Sequence, residues 1–413
     1  MMKHFFPLIG VCCLTVGMLA SCSEDEPVTP NIKYNPGTIK LTTAQQAQVE
    51  NSNEFAWKFF KEVSKGEQQD VFVSPLSVTY ALGMLSNGAV GDTQKEILEG
   101  LEFRSGKVED INSLCHQLMI ESPKLDKSTQ LSMANAVVVN KKIQLQPTFQ
   151  NVVKKQYDAL VASKDFGSPA TLSFINQWAS DHTQGMVPKI LERINPDGVS
   201  YLLNALYFKG IWYRQFDKKH TKKEAFTKAD GTKSQVQMMH QKERFFAAEN
   251  DNYQTVVLPY GNGSYEMVVL LPREGKELSS LLQTMDAKKW KDNLKNTYSS
   301  KVDLKLPRFT SAYNRELNDV LKLLGMNAMF DSSKANLTKM SAVSSFVSMV
   351  LQKAKIEVDE EGSKAAAVTV VDTAPTAVAP SKPILFHANR PFMYAIVEHS
   401  TGTIFFMGTY QGK

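Results

Sequence analysis

The chain reads as an α+β protein in which several helices surround large mixed or antiparallel β-sheets. Three observations lead there. Helix-like and strand-like hydrophobic periods alternate irregularly from about residue 46 to residue 413, without the strand-helix-strand rhythm of a parallel α/β sheet. Two strand-like runs, Thr255 to Pro259 and Tyr265 to Leu271, are joined by the hairpin turn Tyr260-Gly261-Asn262-Gly263-Ser264 rather than by a crossover. Apart from an Ala- and Thr-rich segment near the C-terminus, no linker, repeat or low-complexity run divides the stretch, so its apolar residues belong to one domain.

In chain order, Glu54 to Lys65 sets Phe55, Phe59 and Val63 at helical spacing. Ser77 to Asn87 is an apolar helix, opened by Ser74-Pro75 and stopped by Gly88. Gln130 to Asn140 reads as a strand, as do the two hairpin runs and Lys301 to Phe309. The Gly-x-Gly of the hairpin turn is no nucleotide loop, because no helix follows it. Leu317 to Leu324 is a short helix ended by Gly325, and Val368 to Val371, Phe392 to Val397 and Thr403 to Gly408 add strands at the C-terminus.

Composition narrows the function. Of 413 residues, 43% are hydrophobic, enough for one large core or two ordinary ones. The 47 basic and 42 acidic side chains leave a formal charge of +5 with no long block of one sign, which excludes an electrostatic footprint for nucleic acid.

At the N-terminus, Lys3 precedes an apolar run from Phe5 to Leu19 that is too short for an ordinary membrane span, and Leu19-Ala20-Ser21-Cys22 closes it with small residues. The quartet resembles a bacterial lipobox, which implies a signal peptide over residues 1–21, lipid on Cys22 and membrane contact through the lipid anchor alone. Ser23-Glu24-Asp25-Glu26 resembles the acidic run that sends lipoproteins to the outer face of the outer membrane, so a surface-exposed outer-membrane lipoprotein is expected. Residues 22–45, polar and containing Pro27, Pro30, Pro36 and Gly37, form the expected tether, and 46–413 the main domain. Cys12 and Cys13 leave with the signal and Cys22 takes lipid, so Cys115 remains without a disulfide partner. No Cys or His group has zinc-ligand spacing, and neither a metal nor a cofactor is expected.

A surface lipoprotein invites a search for hydrolase motifs, and Gly-x-Ser-x-Gly, His-Glu-x-x-His and Walker sequences are absent. Asp181-His182 and Glu398-His399 place acid beside base in sequence only, which does not make a triad. The run Lys218-Lys219-His220-Thr221-Lys222-Lys223 reads as a solvated loop, with sulfated polysaccharide as its alternative ligand.

Longer words are more specific. Phe386-His387-Ala388-Asn389-Arg390-Pro391-Phe392-Met393-Tyr394-Ala395-Ile396 and Gly402-Thr403-Ile404-Phe405-Phe406-Met407-Gly408 stand near the C-terminus, preceded by Lys355-Ile356-Glu357-Val358-Asp359-Glu360-Glu361-Gly362. Phe72-Val73-Ser74-Pro75-Leu76-Ser77, Thr183-Gln184-Gly185 and Asn204-Ala205-Leu206-Tyr207-Phe208-Lys209-Gly210-Ile211-Trp212 lie far upstream. Together they resemble the serpin family, in family order from about residue 46 to residue 411. The resemblance implies a serpin fold with an exposed reactive loop at about 360–383. It also implies a hinge of Glu360, Glu361, Gly362, Ser363, Ala365, Ala366 and Ala367, and a sheet-opening region of Ser74, Ser77, Asn204, Trp212 and Gln352. The implied molecule is a monomeric inhibitor and not an enzyme. A serine protease, or one of some cysteine proteases, cuts the loop, which then inserts as a central strand while the protease stays attached as an acyl-enzyme. Two positions depart from the family pattern: Gln352 stands where many serpins have a His, and Lys355 where an apolar residue is usual. Gln352 can still donate and accept.

The residues of the loop permit insertion. Counting by twos, Ser363, Ala365, Ala367, Thr369, Val371 and Thr373 are small and uncharged, whereas Lys364, Ala366, Val368, Val370, Asp372 and Ala374 hold both charges. A register that buries the first set leaves the charges outside; the opposite register buries them at a cost of several kcal/mol each. The run ends before Pro375, which a central strand does not tolerate. At ~3.3 Å per residue it spans roughly 40 Å, and about a dozen ladder hydrogen bonds at a net ~0.5–1.5 kcal/mol each give on the order of 10 kcal/mol. Counting from Glu360 in the family's usual way puts the cut bond between Thr376 and Ala377. No Arg, Lys, aromatic or Leu lies between Ala365 and Ser381, and small residues suit elastase-like or subtilisin-like proteases. The alternative is a non-inhibitory serpin acting as a binding module, which a charge or Pro in the buried parity would favour; neither is present.

Overall fold

Thr42 opens the first helix. Its hydroxyl accepts from the Gln45 amide at 3.2 Å, and the Gln45 side chain accepts from the Thr42 amide at 3.0 Å, a capping box that starts α1 (Thr43–Ser64) well before the apolar period becomes regular at Phe55. This computed structural model describes residues 33–363 and 382–412. Residues 33–45, expected in the tether, lie on the body: Ile39 is 4% exposed, and the Asn35 amide donates to the Asn262 carbonyl at 2.8 Å. Isolated apolar anchors such as Ile39 carry no period, which is why the boundary falls earlier than expected.

After β1 (Phe72–Val73), Ser74 caps α2 (Pro75–Gly88) by accepting from the Ser77 amide, as Ser-Pro at a helix start requires. Leu76, Val78, Tyr80, Leu82, Met84 and Leu85 are all buried, so α2 is apolar nearly all round and runs through the core. There follow α3 (Gly91–Gly100), α4 (Val108–Glu121), β2 (Gln130–Asn140), α5 (Pro147–Tyr157), β3 (Leu160–Lys164), α6 (Pro169–His182) and β4 (Ser200–Lys209). A β-rich portion comes next: β5 (Lys222–Thr227), β6 (Lys233–Glu249), and the predicted hairpin β7 (Tyr253–Tyr260) and β8 (Tyr265–Pro272). Then come α7 (Leu278–Thr284), α8 (Ala287–Lys295), β9 (Tyr298–Pro307), β10 (Phe309–Glu316), α9 (Asn318–Leu323), β11 (Leu351–Val358), β12 (Ile384–His387), β13 (Phe392–Glu398) and β14 (Ile404–Tyr410).

The strand expected over Lys301 to Phe309 divides at Arg308. Val302, Leu304 and Leu306 are buried, then Phe309 and Ser311, so the buried parity flips at Arg308 and the chain changes sheet. β9 joins the largest sheet, in the order β1-β14-β13-β8-β7-β6-β9-β12 with β5 on β6, while β10 pairs antiparallel with β11. A third sheet has the order β3-β2-β4, parallel between β2 and β3 and antiparallel between β2 and β4. β4 alternates between two cores. Leu202, Leu206 and Phe208 face the main core around α2. Leu203 and Ala205 face Ile175, Trp178 and Ala179 of α6.

Candidate functional site

Among the described residues, no strand pairs with the outer edge of β4 or with the free edge of β11, and these two edges face each other. A cavity of about 290 Å³ lies between them, lined by Leu202, Leu206, Leu351 and Ala354 on the strands and by Leu82 and Leu85 of α2. An edge strand presents a row of backbone donors and acceptors and invites another strand. Here two such rows frame one strand-shaped place, with α2 on one side and α6 on the other.

The N-terminal residues of α2 tie the two edges to a shared polar network. Gln352 of β11 accepts from the Ser74 amide at 3.2 Å and donates to the Ser74 carbonyl at 2.8 Å. The Ser74 hydroxyl donates to the Phe405 carbonyl at 2.7 Å. On the other side, Ser77 hydrogen-bonds Asn204 of β4, and Asn204 donates to Asn135 of β2 at 2.9 Å. Asn135 in turn donates to the Tyr157 carbonyl at 2.8 Å. The Gln in place of a His thus serves as both donor and acceptor. Lys355, the other departure, points away from the main core and pairs with Glu357 at 2.7 Å.

At the upper end a latch closes the gap. Ile211 and Gly362 form an antiparallel bridge: the Ser363 amide donates to the Gly210 carbonyl at 2.7 Å, and the Trp212 amide to the Glu361 carbonyl at 2.8 Å. Gly362 has φ +147°, and a Cβ there would meet the Gly210 oxygen at 2.2 Å, so only glycine fits. The Trp212 and Tyr260 rings stack 4.3 Å apart. Trp212 Nε1 donates to the Asp359 carbonyl at 2.9 Å, and the Tyr260 hydroxyl meets Ser363 Oγ at 2.9 Å. Burial pushes the Tyr260 phenol far up, which keeps its proton available for that bond. Ser363 is 2% exposed.

Charge holds the turn before the latch. Glu360 is 1% exposed and accepts from Arg308 at 2.5 Å and Thr221 at 2.6 Å. Burial alone would raise its pKa, but the hydrogen bonds from Arg308 and Thr221 outweigh it and hold the carboxyl below its ordinary value. Burial raises the Asp359 pKa, although its Oδ1 accepts from the amides of Glu361 at 2.9 Å and Gly362 at 3.1 Å. Glu361 pairs with Lys218, the first residue of the basic run.

The structure therefore gathers Ser74, Ser77, Asn204 and Gln352 into one network, and Trp212, Glu360, Glu361, Gly362 and Ser363 into a second group above it. It corrects one boundary: residues 360–363, expected within the exposed loop, are fixed on the body by the Ile211 bridge and the Arg308 pair. Ala365, Ala366, Ala367, Thr376, Ala377 and Cys22, with the strand expected over Val368 to Val371, lie outside the described residues. Sequence reasoning missed Arg308, Thr221, Tyr260 and Asp359 as partners of the hinge. A lone Arg at the change of sheet was the one available signal. The two acid-base neighbours form no triad: His182 bonds the Trp178 carbonyl at 2.7 Å, and His399 pairs with Glu266 at 2.9 Å rather than with Glu398.

The chain matches the model of one family, Serpin (serine protease inhibitor), over residues 50–411. It is 34% identical to glia-derived nexin of Homo sapiens over 362 residues, covering 84% of this chain and 89% of that protein. It is 31% identical to antithrombin-III of Bos taurus over 416 residues, covering 93% and 89%. Among solved structures it resembles a thermophilic serpin, tengpin, in the native state, with TM-score 0.82 and 31% identity over 92% of this chain and 98% of that one.

The Glu360 pair sets a pH dependence. With a folded pKa below the unfolded value of 4.5, its contribution to stability is full above that value and is lost as pH falls through the lowered one. Glu360→Gln should lower thermal stability at pH 7 by about 1–3 kcal/mol and flatten the acid limb. Melting curves of both proteins between pH 3 and 7 (roughly the range over which a carboxylate titrates) check this; parallel curves would remove Glu360 from the acid response.

Proposed function

Because the chain belongs to the serpin family of serine protease inhibitors, we propose that it acts as a suicide substrate, with its loop entering the place between β4 and β11. The observation that carries this reading is the Ile211–Gly362 bridge, which sits at the mouth of that place and runs antiparallel to β4. If the same antiparallel register continued down β4 on insertion, Ala365 would lie opposite Phe208, Ala367 opposite Leu206, Thr369 opposite Asn204 and Val371 opposite Leu202. Directly opposed residues share a face, and Leu202, Leu206 and Phe208 face the main core. The small residues would then turn inward, and Lys364 and Asp372 toward the α6 side. The ten residues of β4 accommodate Lys364 to Thr373, ending before Pro375.

In the reaction, the protease nucleophile forms an ester to the Thr376 carbonyl carbon. The amide to Ala377 breaks, and its nitrogen takes a proton and leaves as a new N-terminus. Insertion that outruns water attack on the ester leaves the protease attached. The loop's small, uncharged residues around Thr376 suit an elastase-like or subtilisin-like pocket. Lipid on Cys22 would hold this monomer at the bacterial outer membrane, displayed at the surface; no helix of the described residues is long and apolar enough to cross a membrane.

Three measurements test the reading. Ala367→Glu places a charge opposite Leu206 and should turn inhibitor into substrate: cleavage by an elastase persists while the covalent complex disappears from a denaturing gel. Undiminished complex in this variant would refute the register. Wild type should trap an elastase and not trypsin, Thr376→Arg should gain trypsin, and the released peptide should begin at Ala377. A peptide starting before Thr373 or after Ala379, or trapping of trypsin by the wild type, contradicts the assigned bond and target class. Cys22→Ala should shift the protein from the membrane pellet to the soluble fraction; a variant that stays in the pellet has another anchor.

A further inference from the structure

Residues 33–42 form a strap whose first aromatic side chain, Tyr34, lies beside the latch on Gly263 and Tyr213. The Asn35 amide donates to the Asn262 carbonyl at 2.8 Å, and the Gly37 amide to Ser264 Oγ at 2.8 Å. The Ile39 amide donates to Ser400 Oγ at 3.0 Å. Tyr34 lies on the hairpin turn itself: a Cβ on Gly263, which has φ +92°, would meet the Tyr34 ring at 2.4 Å, so the ring rests directly on the glycine backbone. The ring also meets Tyr213 edge-on, with centroids 5.3 Å apart.

These two contacts fall beside the two residues that hold the loop stem. Tyr213 is the covalent neighbour of Trp212, and its amide donates to the Pro259 carbonyl at 2.8 Å. Gly263 donates its amide to the Tyr260 carbonyl at 2.7 Å, and the Gly261 amide donates to Ile211 at 2.7 Å. Trp212 and Tyr260 are thus paired by a bridge, stacked ring on ring, and overlain at the adjoining residues by one tyrosine from the N-terminal segment.

We infer that Tyr34 is a positioning residue for loop insertion: acting through Tyr213 and Gly263, the neighbours of Trp212 and Tyr260, it keeps the Ile211–Gly362 rung formed, so that insertion starts from a register already in place. The inference rests on the suicide-substrate reading. A brace and a lock differ in sign. A brace speeds insertion after the cut, and its loss lets water reach the acyl-enzyme first. A lock restrains insertion of the uncut loop, and its loss brings faster inactivation on standing.

The test uses the full chain and an elastase, with the ratio of cleaved inhibitor to covalent complex read from a denaturing gel. Loss of one edge-on aromatic contact in Tyr34→Ala should raise that ratio roughly two- to tenfold, whereas Tyr34→Phe keeps the wild-type ratio. Inhibitory capacity on standing without protease should decay no faster than in the wild type. Tyr213→Leu removes the same contact from the other side and should move the ratio in the same direction, which keeps the test decisive if one variant folds poorly. An unchanged ratio in both variants, or faster decay on standing, overturns the inference. A wild type that traps no protease overturns the suicide-substrate reading along with it.

Discussion

Two strand edges that face one another without pairing are the constraint on which the rest of the structure depends. β4 and β11 each have a partner on one side only among the described residues. Facing backbone edges ordinarily close or capture a strand. Here α2 stands behind the gap and offers its N-terminal serines to both sides, so that Gln352 and Asn204 are hydrogen-bonded to the helix end rather than to each other. The edges are held at a distance by what they share. α6 packs on the opposite face of β4 through Ile175, Trp178 and Ala179, and Ala179 lines the place between the strands, which is bounded on four sides.

On the proposed suicide-substrate reading, the scale of the energies shows why such an arrangement would suit a single-use device. A strand of about a dozen residues added between two edges gains on the order of 10 kcal/mol from its ladder, comparable with the whole stability of an ordinary domain, ~5–15 kcal/mol. On the same reading, a fold carrying that unspent gain would persist only if entry were slow until the loop is cut. The contacts at the mouth of the gap fix the register from which such entry would begin. Ser363 sits on the Tyr260 hydroxyl, Glu360 is held by Arg308 and Thr221, and Gly362 occupies a backbone conformation closed to other residues.

Much of the fold was legible because its signals are local. Ser74-Pro75 and Gly88 bound α2, the Gly-rich turn after Tyr260 makes the hairpin, and apolar runs place β2, β8, β13 and β14 within a residue or two. The failures share a cause. α1 begins at a capping box whose first turn carries no apolar period, and the segment before it is anchored by single residues spaced too irregularly to register. The change of sheet at Arg308 is a tertiary event, visible in sequence only as a shift of parity. At the site, the network residues were marked by the words Ser-Pro-Leu-Ser and Asn-Ala-Leu-Tyr-Phe. The ion pair of Glu360 with Arg308 joins positions 52 residues apart, and the lone Arg at the change of sheet is its one local mark.

The two departures from the family pattern sharpen the physical requirement at the gap. Gln352 satisfies both the amide and the carbonyl of Ser74, so this position demands one donor and one acceptor within reach of the α2 terminus rather than an imidazole. Lys355 is explained by parity. Gln352, Ile356 and Val358 are the buried positions of β11. Leu351 packs with the α6 cluster, so Lys353, Lys355 and Glu357 share its face. Lys353 and Lys355 are paired there with Glu192 and Glu357. That is also the face toward which the proposed insertion register would turn Lys364 and Asp372. A charge at position 355 therefore lies in the layer where an entering strand would carry its own charges, and the apolar layer beneath, from Leu202, Leu206 and Phe208 across to Ile356, stays free of them.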